Sequence, residues 1–214
     1  IYFKFTSTLE KVSFLLASSM NCGIFSLNFS KLASIQNISI GGVGTITISL
    51  PQLISANSIS INNGGATGVS IPILTAANSI SIAGNNITSV SMPLLDSVTS
   101  LQLSATPQLN SLSLIQLRVV KTDINISSSS LTSISIPNLT YLGATNTTAS
   151  TIAFHNNKLP SNEVNALLNK LANISPQLTN KSISLSQSPS AAPTGQGLID
   201  KATLQARPNT VSTN

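Results

Sequence analysis

Apolar residues recur along this chain at two superposed periods, a local one of two and a long one of 21 to 22. The long period appears when Ser30, Pro51, Pro72, Pro93, Ile115 and Pro137 are taken as anchors, standing 21, 21, 21, 22 and 22 residues apart. Two positions after each anchor is a leucine: Leu32, Leu53, Leu74, Leu95, Leu117 and Leu139. One position before lie Phe29, Leu50, Ile71, Met92, Leu114 and Ile136, and three before lie Leu27, Ile48, Val69, Val90, Leu112 and Ile134. Five positions after come Ile35, Ala56, Ala77, Val98, Val120 and Leu142. Columns of this depth at a fixed spacing are the signature of a solenoid, in which each unit stacks on its copies.

Within each unit the period is two, which places alternate side chains on opposite faces of a strand. A first strand reads Ile48-Ser49-Leu50-Pro51, Val69-Ser70-Ile71-Pro72, Val90-Ser91-Met92-Pro93 and Ile134-Ser135-Ile136-Pro137. A second reads Ile38-Ser39-Ile40, Ile59-Ser60-Ile61, Ile80-Ser81-Ile82, Leu101-Gln102-Leu103 and Ile124-Asn125-Ile126. Proline ends the first strand because it cannot donate to a ladder, and clusters such as Asn62-Asn63-Gly64-Gly65 supply the turns. Two short strands cannot bury an apolar face alone, so successive turns must stack with each strand parallel to its copies. The expected fold is mainly β, a right-handed parallel β-solenoid with two strands per turn and a C-terminal capping helix.

The organisation expected is an N-terminal cap or partial turn over 1–24, a six-turn leucine-rich β-solenoid over 25–159, a capping helix and strand over 160–186, and an extended C-terminal segment over 187–214. The helix is marked by Val164, Leu167, Leu168 and Leu171 at i, i+3, i+4 and i+7, with Ser161 as N-cap and Glu163 in the first turn. Ser182-Ile183-Ser184-Leu185-Ser186 reads as a strand, and a short helical turn is expected around Leu198 to Leu204.

Charged residues make up only 7% of the chain while 41% is apolar, which argues against a disordered, charge-rich segment. The net charge of +5 is scattered, with no basic stripe and few aromatics, so no nucleic-acid partner is expected. No apolar run approaches the length that spans a bilayer, so no membrane insertion is expected. Cys22 is the only cysteine, which excludes an internal disulfide and suits a small buried hydrophobe.

The unit Leu131-Thr-Ser-Ile134-Ser-Ile136-Pro137-Asn138-Leu139-Thr-Tyr-Leu142 resembles the irregular leucine-rich units of receptor L-domain-like proteins. The resemblance covers about Ser26 to Leu159. Standard leucine-rich repeats carry an asparagine ladder, whereas here the residue after the anchor is Lys31, Gln52, Ile73, Leu94, Gln116 or Asn138. The second strand also replaces the usual helical back, which favours an L-domain-like solenoid over a helical horseshoe. Lys158 to Lys170, with Ala192 to Gly197 and Asn209-Thr210-Val211, looks like the C-terminal end of leucine-rich proteins of bacterial surfaces and phage tails. This implies a surface or virion protein that recognises something outside a cell, and it designates no functional residue.

Little in the chain supports catalysis. His155 is the only histidine, and a triad needs a nucleophile and a carboxylate beside it, which nothing selects here. The acids are Glu10, Asp96, Asp123, Glu163 and Asp200. Asp96 and Asp123 fall in stacked turns but at different positions within them, unlike the facing pair a glycosidase needs. Gly41-Gly42-Val43-Gly44 opens no helix and reads as a turn, not a phosphate cradle. No enzyme, catalytic residue, cofactor or metal site is therefore expected.

Eight N-x-S/T sequons occur, at Asn28, Asn37, Asn86, Asn125, Asn138, Asn146, Asn173 and Asn180. They carry glycans only in a eukaryotic secretory setting. The outward columns give two candidate binding faces. One carries Asn28, Ser49, Ser70, Ser91, Ser113 and Ser135, and the other Ser39, Ser60, Ser81, Gln102 and Asn125. Each is either a solvated sheet face or a hydroxyl-rich surface for a partner. The leading expectation is an adhesion or recognition module of extracellular, cell-surface or virion location, such as a tail-fibre or baseplate component. Its partner would be a cell-surface glycan or protein. Alternatives are an assembly or spacer subunit contacting other structural subunits or copies of itself, then an ice-binding solenoid or a polysaccharide hydrolase. Regular Thr-x-Thr columns would mark ice binding, and among the repeated strands only Thr45-Ile46-Thr47 offers such a triplet.

Overall fold

The structure is a computed structural model that describes residues 4–6, 11–18, 25–41, 46–62, 65–84, 86–143 and 150–214. Its strands form two stacks of parallel neighbours. The first contains β1 (Lys4–Thr6), β3 (Phe25–Asn28), β5 (Ile46–Ser49), β7 (Ala66–Ser70) and β9 (Ser89–Ser91), followed by a separate pair, β11 (Ser111–Ser113) and β13 (Ser133–Ser135). The second is one continuous sheet of β2 (Lys11–Ser18), β4 (Ser34–Gly41), β6 (Ser55–Asn62), β8 (Ala76–Ala83), β10 (Ser97–Ser104), β12 (Val119–Ser127), β15 (Thr151–Ala153), β16 (Ser182–Ser184) and β17 (Thr210–Ser212), with β14 (Tyr141–Leu142) beside β12. The protein is a parallel β-solenoid of roughly 21-residue turns, joined near its C-terminal end by helices α1 (Ser161–Ala172) and α2 (Gln196–Gln205).

The apolar columns form the core. All six leucines of the invariant column are buried, as are the residues one before and five after each anchor. On the second sheet, Ile38, Ile59, Ile80, Leu101, Ile124, Ile152, Ile183 and Val211 lie in one unbroken register, all buried. In-register stacking of β-branched side chains fills the interior between the two faces.

The anchor proline has a second role besides ending the strand. Each leucine two positions on donates its N–H to the carbonyl three residues back, as in Leu53 to Leu50 (3.3 Å) and Leu74 to Ile71 (3.3 Å). The anchor is thus position i+1 of a β-turn, where the fixed φ of proline is preorganised.

Beyond β9 the spacing exceeds 21 residues, and the additional residues occupy identifiable places. The connection from β10 to β11 is one residue longer than that from β8 to β9, and Thr106 to Leu109 forms an added turn there. Leu50, Ile71 and Leu114 donate to the serine carbonyls of the next turn at 2.9–3.0 Å, but no such bond joins β9 to β11 among the described residues. Val90, beside this seam, is only partly buried. A second extra residue is absorbed as a bulge, because Val98 pairs with Val120 while Ser100 pairs with Asp123.

The chain leaves the second sheet through a column of left-handed residues: Gly84 (φ 63°), Ala105 (φ 53°), Ser128 (φ 52°) and Asn156 (φ 53°). Glycine and asparagine tolerate this region, whereas for alanine it costs about 1–2 kcal/mol. Ala105 is exposed. Ala105→Gly is therefore expected to raise unfolding stability by about 1 kcal/mol, after the larger entropy loss of glycine on folding. Urea denaturation checks this, and an unchanged or lower midpoint would refute the strain at this corner.

Residues 4–6 and 11–18 extend both sheets, with Phe5 opposite Leu27 and Val12 opposite Ile35. Cys22 and most of Gly41 to Gly44 lie outside the described residues. Helix α1 buries Val164, Leu167, Leu168 and Leu171 as its periodicity predicts. Its N-cap differs from expectation: the cap position is Pro160, in extended conformation, and no side chain caps the helix. The Pro160 carbonyl instead accepts from the N–H groups of Glu163 (3.0 Å) and Val164 (3.1 Å). Within 187–214 the helical turn expected around Leu198 to Leu204 is part of α2, and β17 follows it. Helix α2 buries only Gly197, Asp200 and Leu204 while Leu198 and Ile199 are exposed, so its apolar pattern is weak. Gly197 packs on α1, where a Cβ would stand 2.0 Å from Asn165 Oδ1.

Candidate interaction surface

The predicted serine columns are present in register, and the two faces differ in what their hydroxyls do. On the first sheet Asn28, Ser49, Ser70 and Ser91 lie opposite one another, and Ser113 lies opposite Ser135 across the separate pair. The column is interrupted at the seam. Ser91, Ser113 and Ser135 are exposed, Ser49 and Ser70 half-buried. A second outward column runs through Thr47, Gly68 and Ser89, then Ser111 and Ser133. Neighbouring strands stand about 4.8 Å apart and alternate residues about 6.6 Å apart along a strand, so the hydroxyls form a regular grid, broken at Gly68 and at the seam. Among the described residues, the side chains of Ser49, Ser70, Ser91, Ser113 and Ser135 make no hydrogen bond with protein.

On the second sheet Ser39, Ser60, Ser81, Gln102 and Asn125 also align. Several are engaged internally: Asn62 Nδ2 donates to Ser60 Oγ (2.7 Å), Ser81 Oγ to Asn62 Oδ1 (3.3 Å), and Ser127 Oγ to Asn125 Oδ1 (2.6 Å). At the corner of this sheet Asn78 donates to Asn57 and Asn57 to Asn37, each at 3.3 Å, as an exposed amide ladder.

A second polar ladder is buried, and it lies beyond the second strand, not next to the anchor. Thr106 Oγ1 and Ser129 Oγ share a 2.7 Å hydrogen bond, and Ser129 N–H donates to Asn157 Oδ1 (3.2 Å). Asn157 is fully buried and donates to the carbonyls of Ile126 (2.8 Å) and Phe154 (3.0 Å). Gln187 continues the ladder by donating to the carbonyls of Phe154 (3.0 Å) and Leu185 (2.6 Å), and Asn214 Oδ1 accepts from Gln187 N–H (2.6 Å). These groups satisfy backbone at the corner where the chain leaves each strand. The alignment on the anchors missed them because Thr106, Ser129, Asn157 and Gln187 differ in type and are spaced 23, 28 and 30 apart.

The charged groups are dispersed. Asp96 and Arg118, on adjacent turns, form a two-pronged ion pair through Oδ1–Nε and Oδ2–Nη2, with the latter at 2.9 Å. The Arg118 hydrogen bonds lower the Asp96 carboxyl below its ordinary value. Asp123 accepts from Thr151 N–H (2.8 Å), so the two aspartates do not share a site. His155 lies half-buried after β15 with Nδ1 unpartnered. Among the described residues no three His, Cys, Asp or Glu side chains converge, and no helix is long and apolar enough to cross a membrane.

Lys181 is buried, with Nζ donating to Ser150 Oγ (3.2 Å). Burial lowers its pKa, opposed by the nearby Asp123 charge. The unfolded chain then holds this proton more tightly, so the Lys181 contribution to stability rises with pH between the lowered value and the ordinary 10.5. The stability of the wild type relative to Lys181→Met should increase from pH 8 to pH 10.5, read as denaturation midpoints. A difference that falls over this window would contradict the assigned burial.

Where the first sheet ends, α1 lies alongside β13. A groove of about 330 Å³ between them is lined by Ser133 to Pro137 on one wall and Glu163, Ala166, Leu167 and Lys170 on the other.

Stacked parallel turns with a buried corner ladder and helices in the closing layers define a solenoid repeat protein. No family model, curated protein or solved structure matches the chain.

Proposed function

We propose that this chain is a non-catalytic recognition module of a cell or virion surface, binding a glycan or protein through the outer face of its first sheet. The observation that carries this reading is the grid of serine hydroxyls left without protein partners, in contrast to the second face, where Ser60, Ser81 and Asn125 are bonded internally. Unengaged donors and acceptors on a rigid sheet lose little side-chain entropy on binding, which favours a preorganised polar interface. The likeness to leucine-rich proteins of bacterial surfaces and phage tails supports an extracellular setting and, more narrowly, a tail-fibre or baseplate component.

The test is a glycan array together with whole-cell binding, comparing wild type with the double variant Ser91→Arg, Ser113→Arg. Both positions are exposed, so the fold should survive, as circular dichroism would verify. Binding by wild type that falls at least about tenfold in the variant, or about 1.4 kcal/mol, supports the reading. Absence of binding in both assays, or equal binding by the variant, would count against it.

A second reading, an assembly or spacer subunit, is favoured by one observation. Ile54, Leu94 and Ile115 are 44–49% exposed at the corner formed by the proline turns. Exposed apolar patches commonly mark protein contacts. A stable oligomer by light scattering, dissociated by Leu94→Glu, would favour it.

A further inference from the structure

We propose that the groove between β13 and α1 takes one extended peptide, added as a strand parallel to β13, with a cationic group at its leading end and a carboxylate at its trailing end. This goes beyond the hydroxyl face, which the groove meets at Ser133 and Ser135, and it rests on the free main-chain edge and not on those hydroxyls.

The groove follows from a mismatch of dimensions. Stacked strands are spaced about 4.8 Å apart, whereas a helix with its side chains is about 10 Å across. Helix α1 occupies the position where the next strand of the first sheet would lie, so its bulk stands away from the edge and leaves an open channel. Glu163 contacts the start of the β13 segment and Lys170 its end, so strand and helix run in the same direction. The seven-residue rise on the helix, about 10.5 Å, matches the three-residue rise on the strand, about 10 Å.

The strand edge facing this channel is incompletely paired. The N–H groups of Phe29, Leu50, Ile71 and Leu114 each donate to the serine carbonyl of the following turn. Ile136 occupies the same position in its turn, and its N–H has no such acceptor. Ser135 directs its carbonyl back to Leu114, so by the alternation of a strand the Ile134 N–H and C=O face the channel. The Ile134 N–H has only a long contact, 3.4 Å, to Glu163 Oε2. An extended main chain is the ligand whose donors and acceptors match such an edge. The ends then set its polarity. A strand parallel to β13 brings its leading end to the Glu163 carboxylate and its trailing end to the Lys170 ammonium, which now bonds the Pro137 carbonyl. Ala166 and Leu167 form the apolar wall between them.

The experiment titrates the ¹⁵N-labelled full chain with the pentapeptide Lys-Thr-Val-Thr-Glu, both ends free, and follows the Ile134 and Ile136 amides. Both signals should shift, with saturable binding. The charge-reversed peptide Glu-Thr-Val-Thr-Lys with blocked ends, and the first peptide N-methylated at its three central residues, should each bind at least about tenfold more weakly. Ala166→Trp changes an exposed helix position and fills the channel, so it should abolish the shifts while leaving circular dichroism unchanged. Ser49→Ala with Ser70→Ala should leave peptide binding intact, which separates this site from the hydroxyl face. The proposal is overturned if neither amide moves at millimolar peptide, if the N-methylated peptide binds equally well, or if Ala166→Trp binds like wild type.

Discussion

Asn157→Leu should destabilise the protein by on the order of 4 kcal/mol, because two buried backbone groups at about 1–3 kcal/mol each lose their partner. These are Ser129 N–H and the Ile126 carbonyl, both bonded to the Asn157 amide at a fully buried position. The Phe154 carbonyl fares better, since Gln187 Nε2 also reaches it at 3.0 Å. Leucine shares the branched four-heavy-atom skeleton of asparagine and is bulkier, so no cavity opens and the loss reports the missing hydrogen bonds together with any crowding. Urea denaturation of the full chain measures it. A loss below about 1 kcal/mol, within the range of one ordinary hydrogen bond, would mean that the corner ladder contributes nothing beyond a single contact.

The second large effect separates two adjacent leucines. Leu95 belongs to the invariant column and is fully buried, while its neighbour Leu94 is 45% exposed at the proline turn. Leu95→Ala should cost about 2–5 kcal/mol through lost burial and the cavity left in a stack that cannot collapse around it. Leu94→Ala should stay within about 0.5 kcal/mol. Equal effects at the two positions would be incompatible with the inward register of the leucine column.

The solenoid was legible because its determinants repeat. A column such as Leu32 to Leu139 averages out local ambiguity, and the Ile-Ser-Ile alternation assigns the inward face turn by turn. What escaped the alignment is what does not repeat in type. The buried ladder uses threonine, serine, asparagine and glutamine for one geometric task, since any side chain that reaches the corner can bond the backbone there. Helix α2 shows in the sequence only as a short turn around Leu198 to Leu204, because its exposed Leu198 and Ile199 blur the apolar period and its packing places the bare Cα of Gly197 against Asn165. Pro160 replaced Ser161 at the helix start because a carbonyl held in extended backbone serves the first turn without a side chain. Of the candidate faces, the sequence located both columns but not their difference. Whether a serine bonds its neighbour depends on Asn62 and Ser127, which lie at the edges of the repeated triplets.

The seam between β9 and β11 has a mechanical consequence. The second sheet is hydrogen-bonded without interruption along the whole stack and acts as a spine, whereas the first consists of two panels that merely abut. Among the described residues, parting those panels breaks no backbone hydrogen bond between β9 and β11, so bending stiffness is lowest there and in one direction only. Under load, the rod should flex by opening at Met92 while its opposite wall stays intact.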